Sequence, residues 1–398
     1  MIRIQDYSFK NKRVLLRVDY NVPLNEQFEI TDTARIDASL PTLRKILDDG
    51  GSIILMSHLG RPKGKDPKCS LEHILNYLKE VTKATVVFAG DCIGAEVESK
   101  VKALQPGQIL LLENVRFYKE ETDGDETFAR KLASYGDVYV NDAFATAHRE
   151  HATTAVIARF FPHDKMFGLL MQAEVDNLNR VMNNPKRPFT AILGGSKIST
   201  KINIINHLLT KVDNIILGGG MNYTVHKAMG GHVGKSLVED EMLDVAREVL
   251  ETAKKNNVKV YVSEDTVTSD RFGNDALRRI HPTDEIPDDM EGMDIGPKTC
   301  LNYRQAILDS ATVLWNGPMG VFEFDNFSNG TFMVADAVAR ATEQGSFTLA
   351  GGGDSVAAIN KFKLADRFSY ISTAGGAMLE FCEGRELPGI RCIVDEKY

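Results

Sequence analysis

Twelve short apolar runs, each bounded by turn residues, recur along the chain and limit the folds that it can adopt. The runs are 14–18, 52–56, 85–88, 109–112, 138–140, 166–170, 190–193, 215–217, 258–262, 312–314, 346–349 and 368–371. They are continuous rather than alternating, as expected of parallel strands that are covered on both faces. Segments with apolar residues at helical spacing lie between many of them, among them 71–81, 242–253 and 332–341. Strand, turn and helix repeated about six times in each half predict two doubly wound (Rossmann-like) parallel-sheet α/β domains.

The boundary between the two predicted domains can be located from the sequence. The chain has 398 residues, more than one hydrophobic core usually holds. Apolar residues at helical spacing fill 172–182, Asn183-Asn184-Pro185 ends this pattern, and Pro188 precedes the next apolar run. We therefore expect a first domain over 1–171, a linking helix and hinge over 172–187, and a second domain over 188–376.

Composition and charge argue against several classes of protein. A net charge of −8 disfavours a nucleic-acid-binding surface. No stretch approaches the roughly 20 apolar residues of a membrane helix, and the first residues contain no apolar signal region. The five cysteines lack the spacing of zinc or redox motifs, so free thiols are expected. We therefore expect a cytoplasmic protein without nucleic-acid or membrane partners.

Cationic and polar residues follow several apolar runs of the first half. A single arginine at a strand end is usually a surface charge, but four arginines and a histidine recur here. Ligands of α/β sheets bind at the carboxyl ends of the strands, and converging arginines hold phosphate and carboxylate through paired hydrogen bonds. The pattern predicts an anion site built from Asp19, Asn21, Arg35, His58, Arg61, Arg116 and Arg149. His148 and His151 are three residues apart, but without a third ligand nearby we favour a non-metal role for them.

Glycine-rich turns follow the apolar runs of the second half, within 194–197, 218–220, 316–318, 351–355 and 374–376. Where such a turn opens a helix, free backbone amides and the positive end of the helix can bind phosphate. Lys197 and Lys201 are four residues apart, so we expect them on one helix face near phosphates, with two solvated lysines as the alternative. Asp354 is expected at a helix start, either as an N-cap or as a ligand of Mg²⁺ beside a nucleotide phosphate.

Two familiar nucleotide-binding motifs are absent from the sequence. Residues 230–236 resemble a P-loop, but they are one residue short, and Met229 occupies the place of the required glycine. The Gly-x-Gly-x-x-Gly fingerprint of dinucleotide-binding enzymes is missing as well. Cationic side chains in one half and glycine turns in the other instead predict phosphoryl transfer, with one substrate on each domain.

Nine segments taken together closely resemble the phosphoglycerate kinase family along the whole chain. They are RVDYNVPL (17–24), SHLGRP (57–62), LLENVRF (111–117), NDAFATAHR (141–149), ILGGSKISTK (192–201), ILGGGM (216–221), LWNGPMGVFE (314–323), GGGDS (351–355) and STAGGAMLE (372–380). The resemblance implies reversible phosphoryl transfer between 1,3-bisphosphoglycerate and ADP, which gives 3-phosphoglycerate and ATP. It also implies a monomer whose C-terminal segment, about 377–398, returns to the first domain.

The resemblance further implies which residues form the site. The phosphoglycerate would contact Asp19, Asn21, Arg35, His58, Leu59, Gly60, Arg61, Arg116 and Arg149. The nucleotide would contact Lys201, Gly218, Gly219, Gly220, Asn316, Glu323, Gly352, Gly353, Asp354 and Ser355. The transferring phosphoryl group would be stabilised by Arg35, Lys197 and the amides of Gly375 and Gly376, and Mg²⁺ would bind Asp354.

Three positions depart from the commonest pattern of this family. Tyr20 replaces a usual phenylalanine, and Ala145 and Ala374 replace glycines. Alanine would strain the loop at 374 if that position required a positive φ.

Two other functions stay open at this point. One is another two-domain acyl-phosphate kinase, acting on carbamate or acetate, although a small monoanion would not need so many cations. The other is a non-catalytic module that senses nucleotide or phosphate. Such a module would not need Lys197, Asp354 and the amides at 372–376 together.

Overall fold

The computed structural model describes residues 2–395, and the contacts among them form two compact units. Residues 2–176 and 386–395 make up the first unit, and residues 177–385 make up the second. Each unit contains one six-stranded sheet. The division falls within the helix α6 (Leu169–Met182).

The sheet of the first unit is parallel throughout, with the strand order β3-β4-β2-β1-β5-β6. Its strands are β1 (Arg13–Arg17), β2 (Ser52–Met56), β3 (Thr85–Phe88), β4 (Gln108–Leu111), β5 (Val138–Asn141) and β6 (Lys165–Phe167). Its helices, besides α6, are α1 (Ala34–Asp48), α2 (Leu75–Thr82), α3 (Ala95–Ala103), α4 (Lys119–Asp123), α5 (Glu126–Ala133) and α14 (Pro388–Val394).

The centre of this sheet is buried on both faces, which explains its continuous apolar sequences. All five residues of β2 are buried, although successive side chains point to opposite faces. On one face, Leu16 of β1 and Leu55 of β2 belong to the same core cluster as Ile46 of α1. The strands therefore form the middle layer of a three-layer domain.

The main sheet of the second unit is also parallel, with the strand order β10-β8-β7-β15-β16-β17. Its strands are β7 (Phe189–Leu193), β8 (Asn214–Leu217), β10 (Lys259–Tyr261), β15 (Thr312–Asn316), β16 (Phe347–Ala350) and β17 (Tyr370–Ile371). Its helices are α7 (Ile202–Leu208), α8 (Met221–Ala228), α9 (Leu243–Lys255), α10 (Pro297–Leu308), α11 (Asn329–Glu343), α12 (Gly353–Lys361) and α13 (Gly375–Cys382).

The predicted fold class, two doubly wound parallel-sheet domains, is confirmed. Each of the twelve apolar runs contains or overlaps one of the parallel strands. The sequence did not predict the smaller strands of the second unit, which are β9 (His232–Val233), β11 (Asp265–Ser269), β12 (Arg278–Pro282), β13 (Glu285–Ile286) and β14 (Glu291–Ile295). Strand β12, Arg-Arg-Ile-His-Pro, is largely exposed, so it carries no continuous apolar signal.

The C-terminal segment divides between the two units. Helix α13 packs on α7 within the second unit, whereas α14 packs on β6 within the first. The backbone N–H of Gly389 donates to the carbonyl of Ala147 at 2.8 Å. The first unit therefore takes up the chain from 386 onward, later than the 377 proposed from the resemblance, because α13 stays with the second unit.

Among the helices of residues 2–395, none combines the length and the apolar character that crossing a membrane requires.

Candidate active site

The carboxyl edge of the first sheet carries an open cationic basin. Its lining includes Arg61, Lys63, Arg116, Arg149 and His151. The structure thus brings together three of the predicted arginines, which follow β2, β4 and β5 along the chain. Within the described part of the chain, none of these three guanidinium groups has a carboxylate at ion-pair distance. Their charge is therefore available to an anion.

A chain of hydrogen bonds joins the other predicted polar residues beside this basin. Arg35, on α1, forms an ion pair with Asp19, whose other carboxylate oxygen accepts from the backbone N–H of Asn21 at 3.1 Å. The side-chain oxygen of Asn21 accepts from the N–H of Gly60 at 2.8 Å. The carbonyl of Gly60 accepts from Nη1 of Arg116 at 2.9 Å. These bonds therefore connect helix α1 with the loops that follow β1, β2 and β4.

Arg17 is a buried member of the cluster that the sequence analysis did not include. It ends β1 and has no exposed surface. Its Nε donates to Oγ1 of Thr153 at 2.9 Å, and its Nη2 lies 3.2 Å from Nδ1 of His58. The carboxylate of Glu121, also fully buried, accepts from both the N–H and the hydroxyl of Thr153, at 2.9 and 2.7 Å. Thr153 therefore links a buried carboxylate to a buried guanidinium.

Burial and nearby positive charges favour the neutral forms of His58 and His151. Burial, together with the positive charges of Arg17 and Arg116, lowers the pKa of His58 well below its ordinary value. Burial and the same two arginines lower the pKa of His151 to about 4. Burial also lowers the pKa of Arg116, to about 10, which leaves it charged. The positive charge of the basin therefore comes from guanidinium and ammonium groups.

Two buried nitrogen atoms near the basin have no hydrogen-bond partner among residues 2–395. They are Nε of Arg116 and Nδ1 of His151, the latter 4.0 Å from a carboxylate oxygen of Glu121. Among the described residues, no three His, Cys, Asp or Glu side chains lie together in a group that could hold a metal ion.

A second basin lies at the carboxyl edge of the sheet in the other unit. It is lined by Gly194, Gly195, Ser196, Thr200, Lys201, Asn316, Gly317, Pro318, Gly352, Gly353, Asp354, Ser355, Gly375, Gly376 and Leu379. Helix α12 begins at Gly353 and α13 begins at Gly375, so the first amides of both helices lack partners within their own helix. Two positive helix ends therefore face one basin, an arrangement that suits phosphate.

The predicted helix face carrying Lys197 and Lys201 was wrong. Lys201 is the N-cap residue of α7, and Lys197 lies in the loop before it. The loop turns because Ile198 is drawn into the core, where it has no exposed surface. Lys201 is partly buried and donates to Oδ1 of Asn316, and burial lowers its pKa below the ordinary value. Lys197 is exposed and lines neither this basin nor the apolar cavity beside it.

An apolar cavity adjoins the glycine-lined basin and shares with it Gly195, Ser196, Pro318 and Asp354. Its walls include Tyr223, Leu237, Phe272, Met293, Val321 and Phe324, together with the predicted residues Gly219, Gly220 and Glu323. The rings of Phe272 and Phe324 lie 5.1 Å apart at a tilt. Sequence reasoning missed these apolar walls, because single aromatic residues in loops give no periodic signal.

The glycine at 219 shows why these turns exclude side chains. Its φ is +69°, and a Cβ there would lie 2.5 Å from the carbonyl oxygen of Gly195. The turn at 218–220 is thus packed against the loop at 194–196, backbone to backbone. Gly218 in turn packs against Met319 rather than lining the cavity.

Several other predicted residues form hydrogen bonds that stabilise the loops around the two basins. Leu59 is buried, and its carbonyl accepts from the side chain of Asn114 at 2.7 Å. Asn316 donates to the carbonyl of Gly351 at 2.7 Å, and the hydroxyl of Ser355 accepts from the N–H of Gly317 at 2.6 Å. Asp354 is in the first turn of α12, whose N-cap is Gly352, so it is not an N-cap residue.

The three departures from the family pattern cause no backbone strain. Ala374 is extended, with φ −113°, so the position does not require glycine. Ala145 lies in a short 3₁₀ helix (Phe144–Thr146) and has no positive φ. The additional hydroxyl of Tyr20 forms a hydrogen bond of 2.7 Å with that of Ser39.

Guanidinium groups on one doubly wound domain and glycine amides on the other are the arrangement expected of a two-domain phosphotransferase. A family model described as phosphoglycerate kinase matches residues 4–385 of this chain. The chain therefore belongs to the phosphoglycerate kinase family. Membership makes it a glycolytic kinase that transfers a phosphoryl group to a carboxyl group, and it does not support either alternative function.

Similar proteins and structures carry the same family description. The chain is 53% identical over 414 residues to phosphoglycerate kinase from Porphyromonas gingivalis, covering 98% of this chain and 99% of that protein. It is 52% identical over 383 residues to cytosolic phosphoglycerate kinase from Triticum aestivum, covering 96% and 95%. The structure of phosphoglycerate kinase from Coxiella burnetii matches with a TM-score of 0.91 at 39% identity, over 98% of both chains. That from Pyrococcus horikoshii matches with a TM-score of 0.83 at 31% identity, over 100% and 99%.

The neutral state of His151 predicts a loss of stability in mild acid. Its pKa of about 4 in the folded chain lies below the roughly 6.5 of an unfolded histidine. As pH falls from 6.5 toward 4, the unfolded chain binds a proton that the folded chain does not, so stability decreases. His151→Gln removes this contribution. When the pH is lowered from 7 to 5.5, the free energy of unfolding of this variant should decrease by about 1 kcal/mol less than that of the parent protein.

Urea unfolding of the full chain, followed by circular dichroism at both pH values, measures this difference. His163→Gln, at an exposed histidine of the same domain, is the matched control and should behave as the parent. Equal losses in the parent and in His151→Gln would show that His151 is not held neutral.

Proposed function

We propose that the cationic basin binds 3-phosphoglycerate and 1,3-bisphosphoglycerate. The supporting observation is that Arg61, Arg116 and Arg149 line one basin without carboxylate partners in the described chain. A substrate with a phosphate and a carboxylate can accept hydrogen bonds from several guanidinium groups, whereas a small monoanion cannot. The substrate residues are those expected from the sequence, namely Asp19, Asn21, Arg35, His58, Leu59, Gly60, Arg61, Arg116 and Arg149.

The nucleotide is proposed to occupy the two adjoining cavities of the second domain. Its phosphates would lie on the helix ends at Gly353 and Gly375 and near Lys201. Its base would lie in the apolar cavity beside Gly219 and Gly220. The other nucleotide residues are Gly218, Asn316, Glu323, Gly352, Asp354 and Ser355.

Phosphoryl transfer requires positioning and positive charge rather than a covalent nucleophile. The accepting oxygen, on the carboxylate or on ADP, is already deprotonated, so no general base is required. Arg35, Lys197 and the amides of Gly375 and Gly376 are proposed to neutralise the charge of the transferring group. The two amides are suited to this task because they are the first donors of α13.

Asp354 is proposed as the protein ligand of Mg²⁺. It is exposed in the first turn of α12, borders both the phosphate basin and the apolar cavity, and has no ion-pair partner within residues 2–395. Magnesium is commonly held by one or two carboxylates together with substrate phosphates. When bound, it would neutralise charge on the nucleotide phosphates.

We also propose that the enzyme is a cytoplasmic monomer. All five cysteines are free thiols, as is usual in a reducing compartment, and the wheat relative is described as cytosolic.

The activity itself is the first test. Purified protein should convert 3-phosphoglycerate and MgATP into 1,3-bisphosphoglycerate and ADP, reversibly, in a coupled assay. EDTA should abolish the conversion, because the nucleotide phosphates then lack their cation. Turnover of acetate or carbamate without turnover of 3-phosphoglycerate would overturn the proposal.

The arginines should divide between catalysis and binding. Arg35→Ala should lower kcat at least about tenfold with a smaller change in KM, because its charge is required mainly in the transition state. Arg149→Ala should mostly raise the KM for 3-phosphoglycerate, since this exposed group acts in the ground state. Arg44→Ala, at an exposed arginine of the same helix as Arg35, is the control and should change neither constant. A higher KM with an intact kcat in Arg35→Ala would contradict this division.

Domain closure is the third expectation. Direct transfer requires reacting atoms roughly 3–3.5 Å apart, and water must be excluded from the acyl phosphate. We propose that the hinge lies in 172–187, with a second bend near 372–376, and that both ligands together favour closure. Small-angle scattering should give a smaller radius of gyration with 3-phosphoglycerate plus a nonhydrolysable MgATP analogue than with either alone. The same radius in all four ligand states would contradict closure on binding.

A further inference from the structure

The loop that carries Lys197 is packed tightly at residues 194–196, whereas residues 197–200 form few hydrogen bonds to the rest of the described chain. It runs from Gly194 to Lys201 between β7 and α7, and Lys197 itself is exposed. The carbonyl of Gly195 accepts from the N–H of Met221 at 3.1 Å, and Ile198 is fully buried. Lys197 lies between these anchors, and its exposed side chain has no hydrogen-bond or ion-pair partner within residues 2–395.

Glu239 reaches this loop from a distant part of the sequence. Its side chain accepts from the N–H of Ser199 at 3.1 Å and from the hydroxyl of Ser199 at 2.5 Å. Its own N–H donates to Oγ1 of Thr224, on α8, at 3.1 Å. Glu239 therefore links the lysine loop, through its carboxylate, to the helix whose first turn borders the nucleotide cavity, through its backbone N–H.

The carboxylate side of this contact is buried, although Ser199 itself is exposed. Glu239 is only 6% exposed, and a buried carboxylate is costly unless it is hydrogen-bonded. Its two bonds to Ser199 are charge-assisted, which makes them stronger than bonds between neutral groups. Within the described chain, no other side chain from outside the loop bonds to residues 197–200. Glu239 therefore fixes both the backbone and the side chain two residues after Lys197.

We propose that Glu239 is a positioning residue for phosphoryl transfer, which acts through Ser199 to hold Lys197 where the transferring group passes. This inference rests on the proposed role of Lys197. The competing interpretation is that Glu239 only attaches residues 236–239 to the domain. The two interpretations differ in whether the effect of Glu239 depends on Lys197.

A double-mutant cycle measures that dependence. Lys197→Ala should lower kcat roughly 100-fold, as expected for a lost electrostatic stabiliser. Glu239→Ala should lower kcat roughly tenfold with little change in KM for either substrate, because the lysine is misplaced but the ligands still bind. In the Lys197→Ala background, Glu239→Ala should cost less than about twofold, since no lysine remains to be placed.

Three further variants serve as controls. Ser199→Ala keeps the N–H bond and should lower kcat by a smaller factor than Glu239→Ala. Glu239→Gln keeps an oxygen for the N–H and should retain most of the rate. Glu241→Ala removes the same charge from an exposed neighbour and should leave kcat unchanged. Circular dichroism checks that each variant is folded; if Glu239→Ala is not, Ser199→Ala takes its place in the cycle.

The outcomes separate this inference from the proposed function. A near-native rate in Lys197→Ala alone would remove the proposed role of the lysine and the inference with it. Two results, each with a low kcat in Lys197→Ala, would overturn the inference alone. In one, Glu239→Ala has the kcat of the parent protein. In the other, Glu239→Ala lowers kcat about tenfold whether or not Lys197 is present.

Discussion

The parallel arrangement of the strands is the constraint on which both sites depend. Parallel neighbours cannot be joined by a hairpin, so each strand must be followed by a crossover that starts at its carboxyl end. The loops that directly follow the strands therefore lie along the same, carboxyl edge of the sheet. In the first domain that edge carries Arg61, Arg116 and Arg149. In the second it carries glycine turns and the first amides of α12 and α13. One rule of chain topology thus brings together groups from distant parts of the sequence.

A concentration of arginines is costly to fold unless some of its charge is balanced. Here the balancing negative charge lies behind the surface of the basin, not among the residues that line it. The buried carboxylate of Glu121 lies beyond Thr153, which it shares with Arg17. Burial raises the pKa of Glu121 while the charge of Arg17 opposes that rise, as expected of a carboxylate held beside a guanidinium. Because the carboxylate faces inward, the solvent side of the basin stays positive, and the neutral histidines add hydrogen-bonding capacity without further repulsion.

The two domains use different physical devices for similar ligands. The first uses long cationic side chains, whose positions depend on a series of hydrogen bonds from Asp19 to Arg116. The second uses backbone amides, which are fixed by the fold and require close packing of one loop on another. At Gly219 that packing leaves no room for a side chain. Lys197 is an exposed side-chain cation carried on a loop. Glu239, from another part of the sequence, supports that loop by accepting two hydrogen bonds from Ser199.

The sequence by itself determined the two parallel-sheet domains, because continuous apolar runs followed by polar turns leave few other folds. It also indicated Arg61, Arg116 and Arg149, since each follows a run at the edge where ligands bind. It did not show the role of Arg17, although this residue begins one of the nine segments that resemble the family, or those of Glu121 and Glu239, because a buried ion or hydrogen-bond acceptor is recognisable only from the partners that surround it. The helix face assigned to Lys197 and Lys201 was wrong for a related reason. Burial of Ile198 within the core decides where the loop ends and α7 begins, and that burial exists only once the chain has folded.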